Sequence, residues 1–232
     1  MPRQVKVTAI IPAAGSGSRA GSTPKQYMEL LGKPVLEWTL AAVSASEAVD
    51  SIILVTPAND VDMMSGKYLK NKTFPKVASV VSGGAKRGDS VRNGVMQAAS
   101  EFVLIHDAAR PFLSPPLVKR VVESAMAHGC TTAALPAHDT VKARQGEFLG
   151  AAVDRSTLLL IQTPQVFKRE ALLKAYEIKK DEASDWTDET SLMQSAGFSV
   201  AWVVGETVNF KITTPDDFRL AQAIAHFGAR ET

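Results

Sequence analysis

Short β-branched runs, each followed by a helix-like stretch, recur along this 232-residue chain. Strand patterns fall at residues 5–11, 51–56, 76–81, 102–106, 131–135, 158–162 and 199–204. Helical patterns cover 35–45, 60–69, 89–99 and 117–127, and further ones open at Lys168, Asp188 and Pro215. Strands separated by helices cannot pair as hairpins. They cross over right-handedly into a mostly parallel, Rossmann-like sheet flanked by helices. Ligands of open α/β sheets bind beyond the carboxyl ends of the strands. That rule directs attention to the residues just after Ile11, Val81 and His106.

Residues 138–154 break the alternation. They carry a turn-like Gln145-Gly146 with polar–apolar alternation on either side, which predicts a projecting β-hairpin arm. An isolated hairpin is marginal in water, so an arm spanning about residues 138–155 predicts a homodimer contact. The whole chain, arm included, reads as one domain over residues 1–232. Hydrophobic residues make up 45% and charged residues 22%, enough apolar surface for a substantial core.

The net charge is +2, which gives no reason to expect nucleic acid or an anionic membrane as partner. A small anionic ligand needs only a few local cations. No apolar run approaches the roughly 20 residues of a membrane span, and no signal-peptide pattern precedes the first strand. The single cysteine, Cys130, lies in an apolar-leaning run and reads as a buried small side chain. Together these predict a cytoplasmic protein.

After the first strand comes Pro12-Ala13-Ala14-Gly15-Ser16-Gly17-Ser18-Arg19-Ala20-Gly21-Ser22-Thr23-Pro24-Lys25. Small residues admit close approach to the backbone, and exposed amides cradle phosphate oxygens. Arg19 and Lys25 add two cations. Nucleotidyl transfer depends mainly on positioning and charge neutralisation, and this loop supplies both. It is not a P-loop, because Lys25 stands between Pro24 and Gln26. It also lacks the third glycine of the dinucleotide fingerprint, which argues against a hydride-transfer enzyme.

The pattern Pro12-Ala13-Ala14-Gly15-x-Gly17-x-Arg19, followed by Pro24-Lys25-Gln26-Tyr27, resembles the signature loop of the 2-C-methyl-D-erythritol 4-phosphate cytidylyltransferases. These are nucleotidyltransferases of the non-mevalonate isoprenoid pathway. The resemblance implies that Arg19 and Lys25 are catalytic, holding the triphosphate of CTP and stabilising the crowded α-phosphorus. Ala13, Ala14 and Gly15 would then contact the nucleotide.

Further motifs follow in the family's order. Gly83-Gly84-Ala85-Lys86-Arg87-Gly88-Asp89-Ser90 is similar to its Gly-Gly-x-x-Arg-x-x-Ser run, which implies that Gly84 and Ser90 read the cytosine. Capping of the next helix by Asp89 or Ser90 is compatible with that role. His106-Asp107-Ala108-Ala109-Arg110-Pro111 matches a specific family string. Asp107 is thereby implied in metal and ribose binding, with Mg²⁺ as cofactor, and Arg110 in binding the substrate phosphate. Taken alone, the same residues also fit an Asp107–Arg110 ion pair bracing a turn.

In the arm, the resemblance places Thr140 and Arg155 across the dimer interface, on the partner's substrate. Thr163, in Thr163-Pro164-Gln165, and Lys211, in Asn209-Phe210-Lys211-Ile212-Thr213, complete the implied substrate set. Thr187 reads as the N-cap of a helix, and Asp188 and Glu189 suit its dipole. Two departures are visible: Val208 stands where many members carry an acid, and Phe210 is an unusually apolar residue between Asn209 and Lys211.

The implied reaction is attack by the substrate phosphate on the α-phosphorus of CTP, with pyrophosphate leaving in line. The nucleophile is already anionic, so no general base is required. Two other readings stand beside this one: a ribitol-5-phosphate cytidylyltransferase, and a non-catalytic nucleotide-binding regulator on the same fold. Ala13-Ala14-Gly15 and His106-Asp107-Ala108-Ala109-Arg110 favour methylerythritol phosphate over ribitol phosphate.

Overall fold

A computed structural model describes residues 5–15, 24–180 and 186–228. The strands are β1 (Val7–Pro12), β2 (Glu29–Leu30), β3 (Lys33–Pro34), β4 (Ser51–Thr56), β5 (Val77–Ser82), β6 (Phe102–Ile105), β7 (Cys130–Pro136), β8 (Val141–Gln145), β9 (Phe148–Val153), β10 (Leu159–Lys168) and β11 (Ala201–Val204). The helices are α1 (Val35–Ser44), α2 (Val61–Met64), α3 (Arg87–Gln97), α4 (Pro115–His128), α5 (Arg169–Ile178), α6 (Glu189–Ser195) and α7 (Pro215–Gly228).

Seven strands form one sheet in the order β11-β7-β10-β6-β1-β4-β5. Only β10 runs antiparallel to its neighbours. The mostly parallel sheet expected from the alternation is therefore present.

β1 lies between β4 and β6, pairing Thr8 with Ser51 and Val7 with Phe102. Its run of apolar residues is buried almost throughout, as a strand covered on both faces requires. Side chains alternate across the sheet. Val7, Ala9 and Ile11 share a core with Leu36 and Leu40 of α1 and Leu117 and Val121 of α4. Ile10 faces the other layer, with Val91 and Val95 of α3 and Leu172 of α5. A third cluster joins Leu30 and Val35 to Ile212 and to Ala221 of α7.

The chain proceeds from β1 outward to β4 and β5, then returns to the opposite side of β1 as β6. This reversal leaves a crevice at the carboxyl ends of β1 and β6.

Four local expectations shift. The strand anticipated over residues 158–162 runs on to Lys168. Pro164 reads as a strand terminator because it lacks an N–H, but the register slips between Ile161 and Gln165 and takes it out of the ladder. Helix α3 opens at Arg87, two residues before Asp89, whose carboxylate instead accepts the Lys86 N–H at 3.1 Å. Asp188, not Thr187, caps α6, accepting the Ser191 N–H at 2.9 Å. The helix expected over 60–69 is the short α2, continued by wider turns to Lys70.

The arm forms as expected, a separate two-stranded hairpin of β8 and β9. Gly146 takes the positive φ of 63° that its turn needs. Phe148 and Leu149 near its tip are 79% and 77% exposed.

Candidate active site

A cavity of about 530 Å³ opens over the strand ends, lined by residues 12–15, 25–26, 84–87, 90, 107–109 and Lys211. A recess of about 150 Å³ shares Arg87, Asp107 and Lys211 with it and adds Arg110, Thr163, Gln165 and Asp188. β1, β5 and β6 each deliver one wall from the loop at their carboxyl end.

The first two loops touch. A Cβ on Gly83 would lie 2.4 Å from the Ala14 Cβ and 2.8 Å from the Ser90 Oγ, so only glycine admits this approach. Ser90 Oγ accepts the Gly84 N–H at 3.1 Å and donates to the Lys86 carbonyl at 3.2 Å. The turn before α3 is thereby fixed by a side chain of α3 itself.

Asp107 is the electrostatic centre. Lys211 Nζ lies 2.9 Å from its Oδ2, Arg87 Nη2 3.3 Å from its Oδ1, and Arg110 Nε 3.5 Å from Oδ2. Burial opposes ionisation of this carboxyl, but Arg87, Lys211 and Arg110 outweigh it and hold the group well below the usual carboxylate range. Arg87 is also held by Glu189, donating through Nη1 to both carboxylate oxygens at 3.0 and 2.9 Å. Burial pulls the guanidinium down, yet Glu189 and Asp107 raise it further and keep it charged.

His106 organises the turn from beneath. It is fully buried, and that burial pushes its pKa down to about 4, so the ring is neutral at physiological pH. The Arg110 carbonyl, 3.0 Å away, can only accept, so Nε2 carries the proton. Nδ1 then accepts from the Thr163 hydroxyl at 3.0 Å. The Thr163 oxygen in turn accepts the Asp107 N–H at 3.0 Å.

Asn209 performs a similar task for Lys211. Its Nδ2 donates to the Thr163 carbonyl at 2.7 Å, and its own carbonyl accepts from Arg110 at 2.7 Å. The Ile212 N–H on the Ala109 carbonyl, at 2.9 Å, completes the anchorage.

Of the residues singled out from sequence, Ala13, Ala14, Gly15, Lys25, Gly84, Ser90, Asp107 and Lys211 line the larger cavity. Arg110 and Thr163 line the recess. Thr140 and Arg155 are exposed at the base of the arm and line neither. Arg19 lies outside the described residues. Sequence reasoning passed over Arg87, Glu189 and Gln26. Arg87 stood in the glycine-rich run, and Gln26 stood beside Lys25. Glu189 gave no signal beyond helix capping, yet it is buried at 3% exposure.

Among the described residues no cluster of three or more His, Cys, Asp or Glu side chains is placed to hold a metal. Asp107 is the acid shared by both cavities, while Asp188 lines the recess alone. A cation at Asp107 would share its oxygens with Lys211, Arg87 and Arg110 and take its remaining ligands from phosphates, as Mg²⁺ can.

A family model for 2-C-methyl-D-erythritol 4-phosphate cytidylyltransferase matches residues 7–226. The 2-C-methyl-D-erythritol 4-phosphate cytidylyltransferase of Syntrophus aciditrophicus is 40% identical over 222 residues, covering 94% of this chain and 95% of that protein. A bifunctional enzyme IspD/IspF of an Anaeromyxobacter species is 44% identical over 230 residues; they cover 97% of this chain but 58% of that longer protein. The crystal structure of the cytidylyltransferase from Thermus thermophilus superposes with a TM-score of 0.80 at 35% identity, covering 96% of this chain and 100% of that one. With the fold, the cavity and the ordered motifs in agreement, the chain belongs to the 2-C-methyl-D-erythritol 4-phosphate cytidylyltransferase family.

Proposed function

We propose that the protein transfers CMP from CTP to 2-C-methyl-D-erythritol 4-phosphate at this cavity and releases pyrophosphate. A phosphate oxygen of the acceptor attacks the α-phosphorus. The new P–O bond forms as the bond from the α-phosphorus to the β-phosphate bridging oxygen breaks, and pyrophosphate carries away the electron pair. The acceptor phosphate is anionic at neutral pH, so no base must remove a proton. The neutral, fully hydrogen-bonded His106 accords with that.

The observation that carries this reading is the concentration of Lys211, Arg87 and Arg110 on one buried carboxylate beside a cavity walled by small-residue loops. Positive charge in a partly desolvated site neutralises developing phosphate charge without reorganisation.

In this reading Lys25, with Arg19, neutralises the triphosphate. Ala13, Ala14, Gly15, Gly84 and Ser90 surround the nucleoside. Arg110 and Lys211 hold the acceptor phosphate, and Thr163 has one lone pair left after its two internal bonds. Asp107 would hold Mg²⁺, which when bound supplies further charge neutralisation of the phosphates. Thr140 and Arg155 reach the acceptor from a second subunit through the arm. The exposed Phe148 and Leu149 support that homodimer. Among the described residues no helix is long and apolar enough to cross a membrane. We place the reaction in the cytoplasm as part of this proposal.

The test is pyrophosphate release with each nucleoside triphosphate, with and without 2-C-methyl-D-erythritol 4-phosphate, in Mg²⁺. Release with CTP and that acceptor alone is the expected result. Release with ribitol 5-phosphate instead would keep the chemistry and change the acceptor. Silence with every pair, in protein that binds CTP, would turn the reading to a regulator.

A further inference from the structure

Gln26 has no part in the chemistry described so far, yet it is only 4% exposed in the wall of the larger cavity. Its Nε2 donates to the Ala13 carbonyl at 2.9 Å and to the Gly15 carbonyl at 2.8 Å. Both partners can only accept, so the chemistry fixes which end of the side-chain amide faces them. The two bonds tie the short turn Lys25–Tyr27 to the segment that leaves β1. On the far side, the Ala13 N–H is bonded to the Val55 carbonyl at 2.7 Å. The segment is thus held from both directions.

The clasp shapes what an incoming anion meets. A peptide unit is planar and trans, so its carbonyl and its N–H point in opposite directions. With the Ala13 carbonyl drawn onto Gln26, the N–H of Ala14 is aimed away from Gln26. The negative ends of two peptide dipoles are occupied, and cannot turn toward a polyphosphate. The same clasp fixes the backbone of the residue next to Lys25, whose side chain lines the cavity.

We infer that Gln26 is a positioning residue for nucleotide binding: it orients the Ala13–Gly15 backbone and the Lys25 turn to receive the triphosphate. The identity of the anion rests on the function proposed above.

The test uses Gln26→Met, which keeps the length and removes both donors, and Gln26→Glu, which sets a carboxylate against two carbonyls. CTP binding is titrated calorimetrically without acceptor, and KM is measured for each substrate. Losing both donors and leaving two carbonyls unpaired weakens CTP binding about tenfold or more in Gln26→Met. Gln26→Glu is weaker still, and KM for the acceptor is unchanged in both. CTP affinity within about twofold of wild type, or equal losses for both substrates, would overturn the inference. So would failure of both variants to fold while Lys25→Ala folds, since Gln26 would then be a structural residue. Wild type that binds CTP without releasing pyrophosphate overturns the transfer reading and leaves the clasp to be decided by calorimetry. Wild type that binds no CTP overturns both.

Discussion

Lys211 Nζ stands 2.9 Å from Asp107 Oδ2, joining the segment after β11 to the end of β6. Arg87 and Arg110 meet the same carboxylate, so Asp107 sets where three cations stand before any phosphate arrives. Asp107→Ala takes this carboxylate from Arg110 and Lys211 and leaves Arg87 with Glu189. We expect a stability loss of about 3 kcal/mol, near the lower end for breaking a buried pair, because Arg87 and Lys211 keep 30% and 33% side-chain exposure. Urea unfolding measures this, and pyrophosphate release should fall in parallel. Unchanged stability would show that solvent already screens the cluster.

Lys25→Ala separates chemistry from folding. The residue is half-buried in the cavity wall and belongs to no core cluster. Removing one preorganised charge from a transition-state site costs roughly 10²–10³ in kcat. We expect that loss with a melting temperature close to wild type. Normal turnover would remove Lys25 from the mechanism.

Gly83→Ala tests the contact between the two loops. The added methyl would meet the Ala14 Cβ at 2.4 Å. The Gly83 N–H is tied to the Thr56 carbonyl at 2.7 Å, so the displacement falls on Ala14 and on the Ser90 hydroxyl, 2.8 Å from the added methyl. Overpacking of this kind costs about 1–3 kcal/mol. If part of that strain is relieved by moving the nucleotide wall, KM for CTP rises about tenfold. A variant with wild-type KM would show that the wall yields without consequence.

The strand ends were legible because β-branched runs stop at proline, glycine or the His106-Asp107 pair, and the sheet rule then names those ends as the site. Lys25 and Asp107 could be found that way, whereas Lys211 came only from the resemblance of its segment to the family's motif. The extension of β10 could not, since Pro164 in a sequence marks a strand's end, and only pairing with β6 and β7 shows the ladder resuming at Gln165. Glu189 was hidden for a different reason. A carboxylate in the first turn of a helix is sufficiently explained by the helix dipole, and its bond to Arg87 exists only once α6 is packed near the start of α3. Gln26 looked like a neighbour of Lys25 because a sequence does not show which carbonyls an amide will find.

Asp188 makes a pH-dependent contribution to stability. Burial raises its carboxyl, but bonds from the Ser191 N–H and hydroxyl, Gln165 and Thr190 outweigh that and lower it overall. A lowered folded value means that the folded state gives up this proton more readily than the unfolded chain. The stabilisation is therefore complete above the unfolded value of about 3.9 and is lost as pH falls through the folded one. Asp188→Asn keeps an acceptor at the cap but removes the charge, and should cost about 1 kcal/mol at neutral pH, the difference between hydrogen bonds to a charged and to a neutral acceptor. The gap from wild type should narrow progressively as pH falls below about 3.9, as urea unfolding at neutral pH and through that acid range would show. A gap that does not change with pH would mean that shape, not charge, is what α6 requires.

The arm predicts a complementation that no single-subunit site can show. Arg155 is exposed and lines neither cavity, whereas Lys25 lines the larger one. If Arg155 serves the neighbouring subunit, Lys25→Ala and Arg155→Ala are each nearly inactive alone. In a mixed dimer, the site that keeps Lys25 receives the arm that keeps Arg155, and is whole. Half the sites of a mixed dimer recover, and half the dimers are mixed after free exchange, so activity returns to roughly a quarter of wild type. Replacing Phe148 and Leu149 by aspartate, which should yield monomers in sedimentation, ought to abolish that recovery. A mixture no more active than its parents, in protein that sediments as a dimer, would place Arg155 outside the reaction or within its own subunit's site.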